Sequence, residues 1–85
     1  MGTLIRAKVL NVLGERSVVI NAGKKRGISL NMMFEIIAPA INGANRSSIK
    51  GRVRVVEVYD KMSLTESYEP LQKNINDGDD VQQIV

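Results

Sequence analysis

The chain has 85 residues, 44% of them hydrophobic and 25% charged, a formal charge of +3, and neither cysteine nor histidine. This length allows one domain with a modest core, and the composition is that of a globular chain, not a disordered one. The two missing residue types exclude disulfides, thiol nucleophiles, imidazole bases and Cys/His zinc sites, which removes much of the common catalytic repertoire.

Met1-Gly2 reads as a remnant ahead of a domain cut from a larger protein. Arg6 and Lys8 interrupt any signal-peptide core, and no apolar run approaches the roughly 18–20 residues of a membrane span. From Ile5 to Val9 apolar and charged residues alternate, the pattern of a half-buried strand. The alternation doubles at Val9-Leu10 and resumes one residue out of phase, which predicts a β-bulge. Leu13–Arg16 is a turn and Ser17–Asn21 the returning strand. Gly23-Lys24-Lys25-Arg26-Gly27 is a solvated basic loop. Asn31 marks a turn in which it takes the left-handed conformation. Met32–Ile37 is the third strand, with Phe34 in the core. Pro39, Asn42, Gly43, Asn45, Ser47 and Ser48 then mark a polar loop over 39–50. A fourth strand, Arg52–Tyr59, doubles its apolar residue at Val55-Val56. Asp60-Lys61 turns the chain into a fifth strand, Met62–Tyr68. Glu69–Asn74 is read as one helical turn, Asn76–Asp79 as a tight turn, and Asp80–Val85 as the sixth strand.

The two bulged strands are alike. Lys8–Val19 lies over Arg54–Thr65 at an offset of 46, with Ser17 on Ser63, and Ile28–Phe34 lies over Ile75–Val81 at an offset of 47, with Asn31 on Gly78. Two such units close a barrel that neither forms alone. The expected fold is all-β: a small six-stranded barrel, SH3-like or of the cradle-loop or elongation-factor-domain type, with an internal pseudo-twofold repeat. Residues 1–85 form one domain, with half-repeats over about 5–38 and 51–85 joined by the loop 39–50.

Gly23–Gly27 lacks the spacing of a phosphate-binding P-loop, and a strand follows it where a P-loop has a helix. Lys24, Lys25 and Arg26 remain as a basic rim, which Arg52 and Arg54 would join if the barrel brings them to one side. Nucleic acid bound there would be held through phosphates and released by salt. Stacking aromatics are few: Phe34, Tyr59 and Tyr68. Asp77, Asp79 and Asp80 belong to a turn and lack the spacing of a calcium loop. Asn45-Arg46-Ser47 matches a glycosylation sequon, a pattern common by chance. Glu35, Glu57, Asp60 and Glu66 show no pairing for acid–base work, so no enzyme is expected, nor any cofactor, metal or small-molecule substrate. Ile36–Ile41 carries more apolar side chains than a small interior holds, and Ile37 and Ile41 are therefore candidates for a contact surface, so a protein partner is expected either at residues 36–50 or at the Lys24–Arg26 rim.

Val-Val-Ile-Asn-x-Gly, a polar stretch, Gly-Ile, an Asn turn and Phe-Glu-Ile, followed by Gly51–Val58 and a later Ser, resembles the C-terminal domain of the flagellar assembly protein T family. The matching residues are Val19, Ile20, Asn21, Gly23, Gly27, Ile28, Phe34, Gly51, Val53, Val56, Val58 and Ser63, within residues 5–68. The family has Gly where this chain has Asn31. The resemblance implies a periplasmic, non-enzymatic component of the ring around the flagellar basal body, acting through contacts with another protein or domain of the assembly. The shared positions are structural, so no functional residue carries over. The rival expectation is a nucleic-acid-binding barrel that uses the Lys24–Arg26 rim.

Overall fold

Alternating apolar runs place six strands: β1 (Arg6–Val12), β2 (Ser17–Ile20), β3 (Met33–Ile37), β4 (Ile49–Val58), β5 (Ser63–Glu66) and β6 (Asp80–Gln83). The computed structural model describes residues 4–37, 49–71 and 75–84. All neighbouring strands are antiparallel and close into a barrel in the order β1-β2-β5-β4-β3-β6, the all-β six-stranded barrel expected. Closure satisfies the strand edges that an open sheet would leave exposed. Inward positions hold Ala7, Val9, Val18, Ile20, Phe34, Ile36, Val53, Val55 and Val81, and loop residues Ala22, Ile28 and Ile75 complete the core. Among the described residues no helix is long and apolar enough to cross a membrane.

Several element limits differ from expectation. β4 starts at Ile49, inside the stretch read as loop 39–50, because Ile49 and Gly51 pair with Ile37 and Ile36. β5 ends at Glu66 and β6 at Gln83, both earlier than the apolar pattern suggested. Lys24–Arg26 forms a 3₁₀ turn in place of an irregular loop. Glu69–Leu71, the described part of the expected helical turn, is not helical. Residues 38–48, which include Ile41 and the sequon Asn45-Arg46-Ser47, and residues 72–74 lie outside the described residues.

Both bulges are where the alternation slips. The β1/β2 register shifts between Val9 and Asn11, and the β4/β5 register shifts between Val55 and Glu57, leaving Leu10 and Val56 as the extra residues. The turns before β3 and β6 also correspond: Asn31 has φ 71° and Gly78 has φ 90°. Asn31 N–H donates to Val55 O at 2.9 Å, and Gly78 N–H donates to Val9 O at 2.7 Å. Asn tolerates this left-handed backbone because its short polar side chain bonds locally, whereas an alanine there costs about 1 kcal/mol. Asn31→Ala is therefore expected to lower stability by about that amount and Asn31→Gly to be nearly neutral, as read by urea unfolding.

The strand registers of the two halves interchange. Arg6 opposite Gln82 has its counterpart in Arg52 opposite Glu35, and Ala7 opposite Val81 in Val53 opposite Phe34. The equivalence of Ser17 with Ser63 expected from the sequence does not hold. The inward residues Val18 and Ile20 correspond to Ser63 and Thr65, not to Leu64 and Glu66, so Ser63 matches Val18 and not Ser17. The reason is a shorter turn: Tyr59 N–H closes on Met62 O, whereas Leu13 N–H closes on Ser17 O. The hydroxyls thereby placed inside are satisfied by backbone carbonyls, Ser63 Oγ donating to Ala22 O at 2.8 Å and Thr65 Oγ1 to Val18 O at 2.9 Å. Without such acceptors each would destabilise the core by about 1–3 kcal/mol.

Candidate functional site

The expected basic residues fall into two groups. The 3₁₀ turn carrying Lys24, Lys25 and Arg26 docks on the β4–β5 turn, with Lys24 N–H donating to Tyr59 O at 2.7 Å and Lys25 N–H to Asp60 O at 3.2 Å. All three side chains are exposed, and the Arg26 guanidinium donates to Arg6 O, so this group sits beside Arg6 and Lys8 of β1. Arg52 and Arg54 lie on the outer face of β4. The register row Arg6–Gln82–Glu35–Arg52 separates the groups across β6 and β3. At ~4.8 Å per strand, that is roughly 14 Å of surface. The structure therefore does not merge the five residues into one patch. Reversing all three charges in K24E/K25E/R26E is expected to change stability by less than about 1 kcal/mol, because exposed side chains away from the core contribute little. A thermal melt with cooperativity retained is the check.

The second group borders a groove. Ser67–Leu71 is strapped to the β1–β2 turn by Ser67 N–H to Arg16 O at 2.8 Å and Leu71 N–H to Glu15 O at 2.6 Å. Between this segment and the start of β4 lies a depression of about 580 Å³ lined by Met33, Ile49, Arg52, Tyr68, Pro70 and Leu71. Gly51 makes room for its floor, since a Cβ there would stand 2.8 Å from Leu71 Cδ2. Tyr68 is 75% exposed yet held in place. Arg54 lies 5.4 Å from its ring centroid and donates to its hydroxyl at 3.2 Å, while Arg16 donates to its carbonyl. Arg52 meets Glu35 only at 4.0 Å, and Arg54 makes no carboxylate pair among the described residues.

A buried ion pair anchors the groove from behind. Lys50 Nζ donates to Asp79 Oδ2 at 2.7 Å, with side chains 9% and 8% exposed, and the same oxygen accepts from Asn76 N–H at 2.9 Å. Asp80 pairs instead with Lys8 on the outer surface at 2.9 Å, and Asp77 is exposed, so the three acids of this turn diverge. Ile37 is half-buried opposite Ile49, which is 48% exposed. Of the other acids, Glu57 accepts a hydrogen bond from the Tyr59 hydroxyl; that bond, Glu57's charge and slight desolvation raise the phenol above its ordinary range.

In the sequence Tyr68 is only one of few aromatics, and no local pattern marks Ile49, Arg16 or the Lys50–Asp79 pair. Ile49 and Lys50 lie within the stretch whose composition predicts a loop, and Arg16 and Asp79 lie in turn sequences. Only the return of residues 67–71 across the barrel end brings them into one place.

No protein-family model matches this chain, and no curated protein matches it. The class that the fold defines is a closed, side-chain-filled six-stranded antiparallel β-barrel.

Proposed function

We propose that this barrel is a non-enzymatic protein–protein interaction module that docks a partner in the groove between β4 and residues 67–71. The observation that carries the reading is Tyr68: a large aromatic, exposed yet fixed by two arginines, beside an exposed isoleucine. Tyrosine and arginine are the residue types that dominate binding energy at protein interfaces. A side chain immobilised before binding loses less entropy when a partner covers it. The resemblance to the flagellar assembly protein T family supports a place in the ring around the basal body, and hence in the periplasm. The interchanging registers support a doubled strand–bulge–strand unit as the origin of the barrel.

The second reading, a nucleic-acid-binding barrel, is favoured by one observation. Lys24 and Lys25 stand exposed beside Arg26 and Arg6 with no carboxylate within 4.0 Å among the described residues. Titration with single-stranded and duplex oligonucleotides at low and physiological salt separates the two. The interaction-module reading expects no submicromolar binding. Tight binding that weakens steeply with salt would replace it with the second reading.

A further inference from the structure

The positive charge of the chain is gathered in one place. Arg6, Lys8 and Arg26 line, with Asn21 and Asp80, a depression of about 230 Å³. Lys24 and Lys25 stand exposed in the same 3₁₀ turn as Arg26. Among the described residues only Asp80 comes within 4.0 Å of any of these five cations, meeting Lys8 at 2.9 Å. All nine acidic side chains of the sequence lie among the described residues, so none is left elsewhere to neutralise the cluster. Even with Asp60 of the adjoining β4–β5 turn counted in, five of the twelve Lys and Arg residues face two of the nine Asp and Glu residues, a surplus of +3. The remaining seven cations match the remaining seven acids, so the cluster holds the whole net charge.

The other half of the barrel shows that the fold does not need this surplus. Arg52 and Arg54 are the register counterparts of Arg6 and Lys8. Arg52 stands opposite Glu35 and Arg54 opposite Glu66. Arg6 stands opposite Gln82 instead, and Lys8 N–H donates to Asn21 Oδ1 at 2.7 Å. Two carboxylates of one half are therefore amides in the other, which keep the hydrogen bonding and drop the charge. Unbalanced cations repel one another and work against compactness, so an anion from outside is what they suit.

We propose that this cluster is a second contact surface, which takes a short acidic segment of a partner protein. The proposal goes beyond the groove reading and uses none of the groove's residues. Carboxylates of the segment meet the exposed Arg6, Arg26, Lys24 and Lys25, and the planar guanidinium donors suit them in shape as well as charge. The short span of the cluster favours a peptide segment over a nucleic-acid backbone. Glu35 lies two strands from Arg6, roughly 10 Å away, and Asp60 borders Lys25 at the other end. A phosphate chain long enough to bind tightly would run on to these carboxylates. No aromatic ring lines the depression to stack a base.

The test is fluorescence anisotropy with labelled octaglutamate, an octaserine control and an oligothymidylate of the same charge, each at low and physiological salt. Octaglutamate is expected to bind and to weaken with salt, and octaserine not to bind. Its NMR shifts should fall on the amides of Arg6, Lys8, Asn21 and Lys24–Arg26. R6Q/K24Q should weaken octaglutamate about fivefold, having lost two of the contacted charges. R52Q/R54Q removes the same charge elsewhere and should change the affinity less than about twofold. Thermal melts confirm that both variants stay folded, and the shift map decides the matter should either unfold. The absence of octaglutamate binding at low salt, equal losses in the two variants, shifts confined to other residues, or tighter binding of oligothymidylate than octaglutamate each overturns the proposal. The first three leave the groove reading standing, because that reading falls only to tight, salt-sensitive oligonucleotide binding.

Discussion

Asp79→Ala is expected to destabilise the barrel by about 3–5 kcal/mol, the range for removing one partner of a buried ion pair. A domain of this size has roughly 5–10 kcal/mol in total, so the variant should be largely unfolded at modest denaturant concentrations. The reason lies in how many elements one carboxylate joins. Asp79 Oδ2 accepts from Lys50 Nζ and from Asn76 N–H, while Asp79 O accepts from Val9 N–H at 2.9 Å. It therefore ties the start of β4 to the turn before β6, while its backbone holds β1. Removing the carboxylate leaves the Lys50 ammonium in a site only 9% exposed, without the anion it faces at 2.7 Å. The double variant K50M/D79N removes the charges together and keeps an acceptor for Asn76 N–H. It should recover at least half of the loss, since apolar replacements of buried pairs are often neutral. Urea denaturation with an unchanged slope and a displaced midpoint is the measurement. A loss below about 1 kcal/mol for Asp79→Ala would show that the pair is solvated, against the burial described.

Gly23→Ala is expected to cost about 3 kcal/mol, although its backbone is extended at φ −139° and asks for no glycine. The constraint is space. A Cβ would press on Tyr59 O and stand 2.7 Å from Met62 N and 2.8 Å from Asp60 C, all main-chain atoms of the β4–β5 turn. A flexible side chain could swing aside, but a turn held by Tyr59 N–H on Met62 O at 2.9 Å cannot give without losing that bond. The variant should therefore release the 3₁₀ turn, and the Lys24 and Lys25 amides should lose their hydrogen-exchange protection ahead of the rest of the barrel. Protection retained at both amides would show that the turn packs less closely than described. K24E/K25E/R26E, by contrast, leaves these main-chain bonds in place. Comparing the two variants separates what the turn's backbone does for the fold from what its charges do on the surface.

The limits of sequence reading can be traced to individual residues. Leu10 and Val56 were legible because a bulge shifts an alternating pattern by one position, and that shift is written in adjacent residues. Asn31 was legible because few L-residues accept a left-handed backbone. The equivalence of Ser63 with Val18 is not legible in the sequence, since the one-residue difference between the two hairpin turns depends on which backbone groups bond across them. Tyr68 looked unremarkable in sequence, because its importance comes from Arg16 and Arg54, neighbours 52 and 14 positions away.

By itself, the order of residues determined the strand pattern, the two irregularities within it, the tight turns and the apolar interior of a six-stranded barrel, because these follow from side-chain alternation and local backbone preference. Tertiary structure decided the rest. It set the cationic side chains in two separate groups, buried Lys50 against Asp79, pressed Gly23 onto a distant turn, and brought Arg54 against the Tyr68 ring. Each of these is a contact between residues far apart in the chain, fixed by how closure of the barrel sets strand register, and no local pattern encodes it.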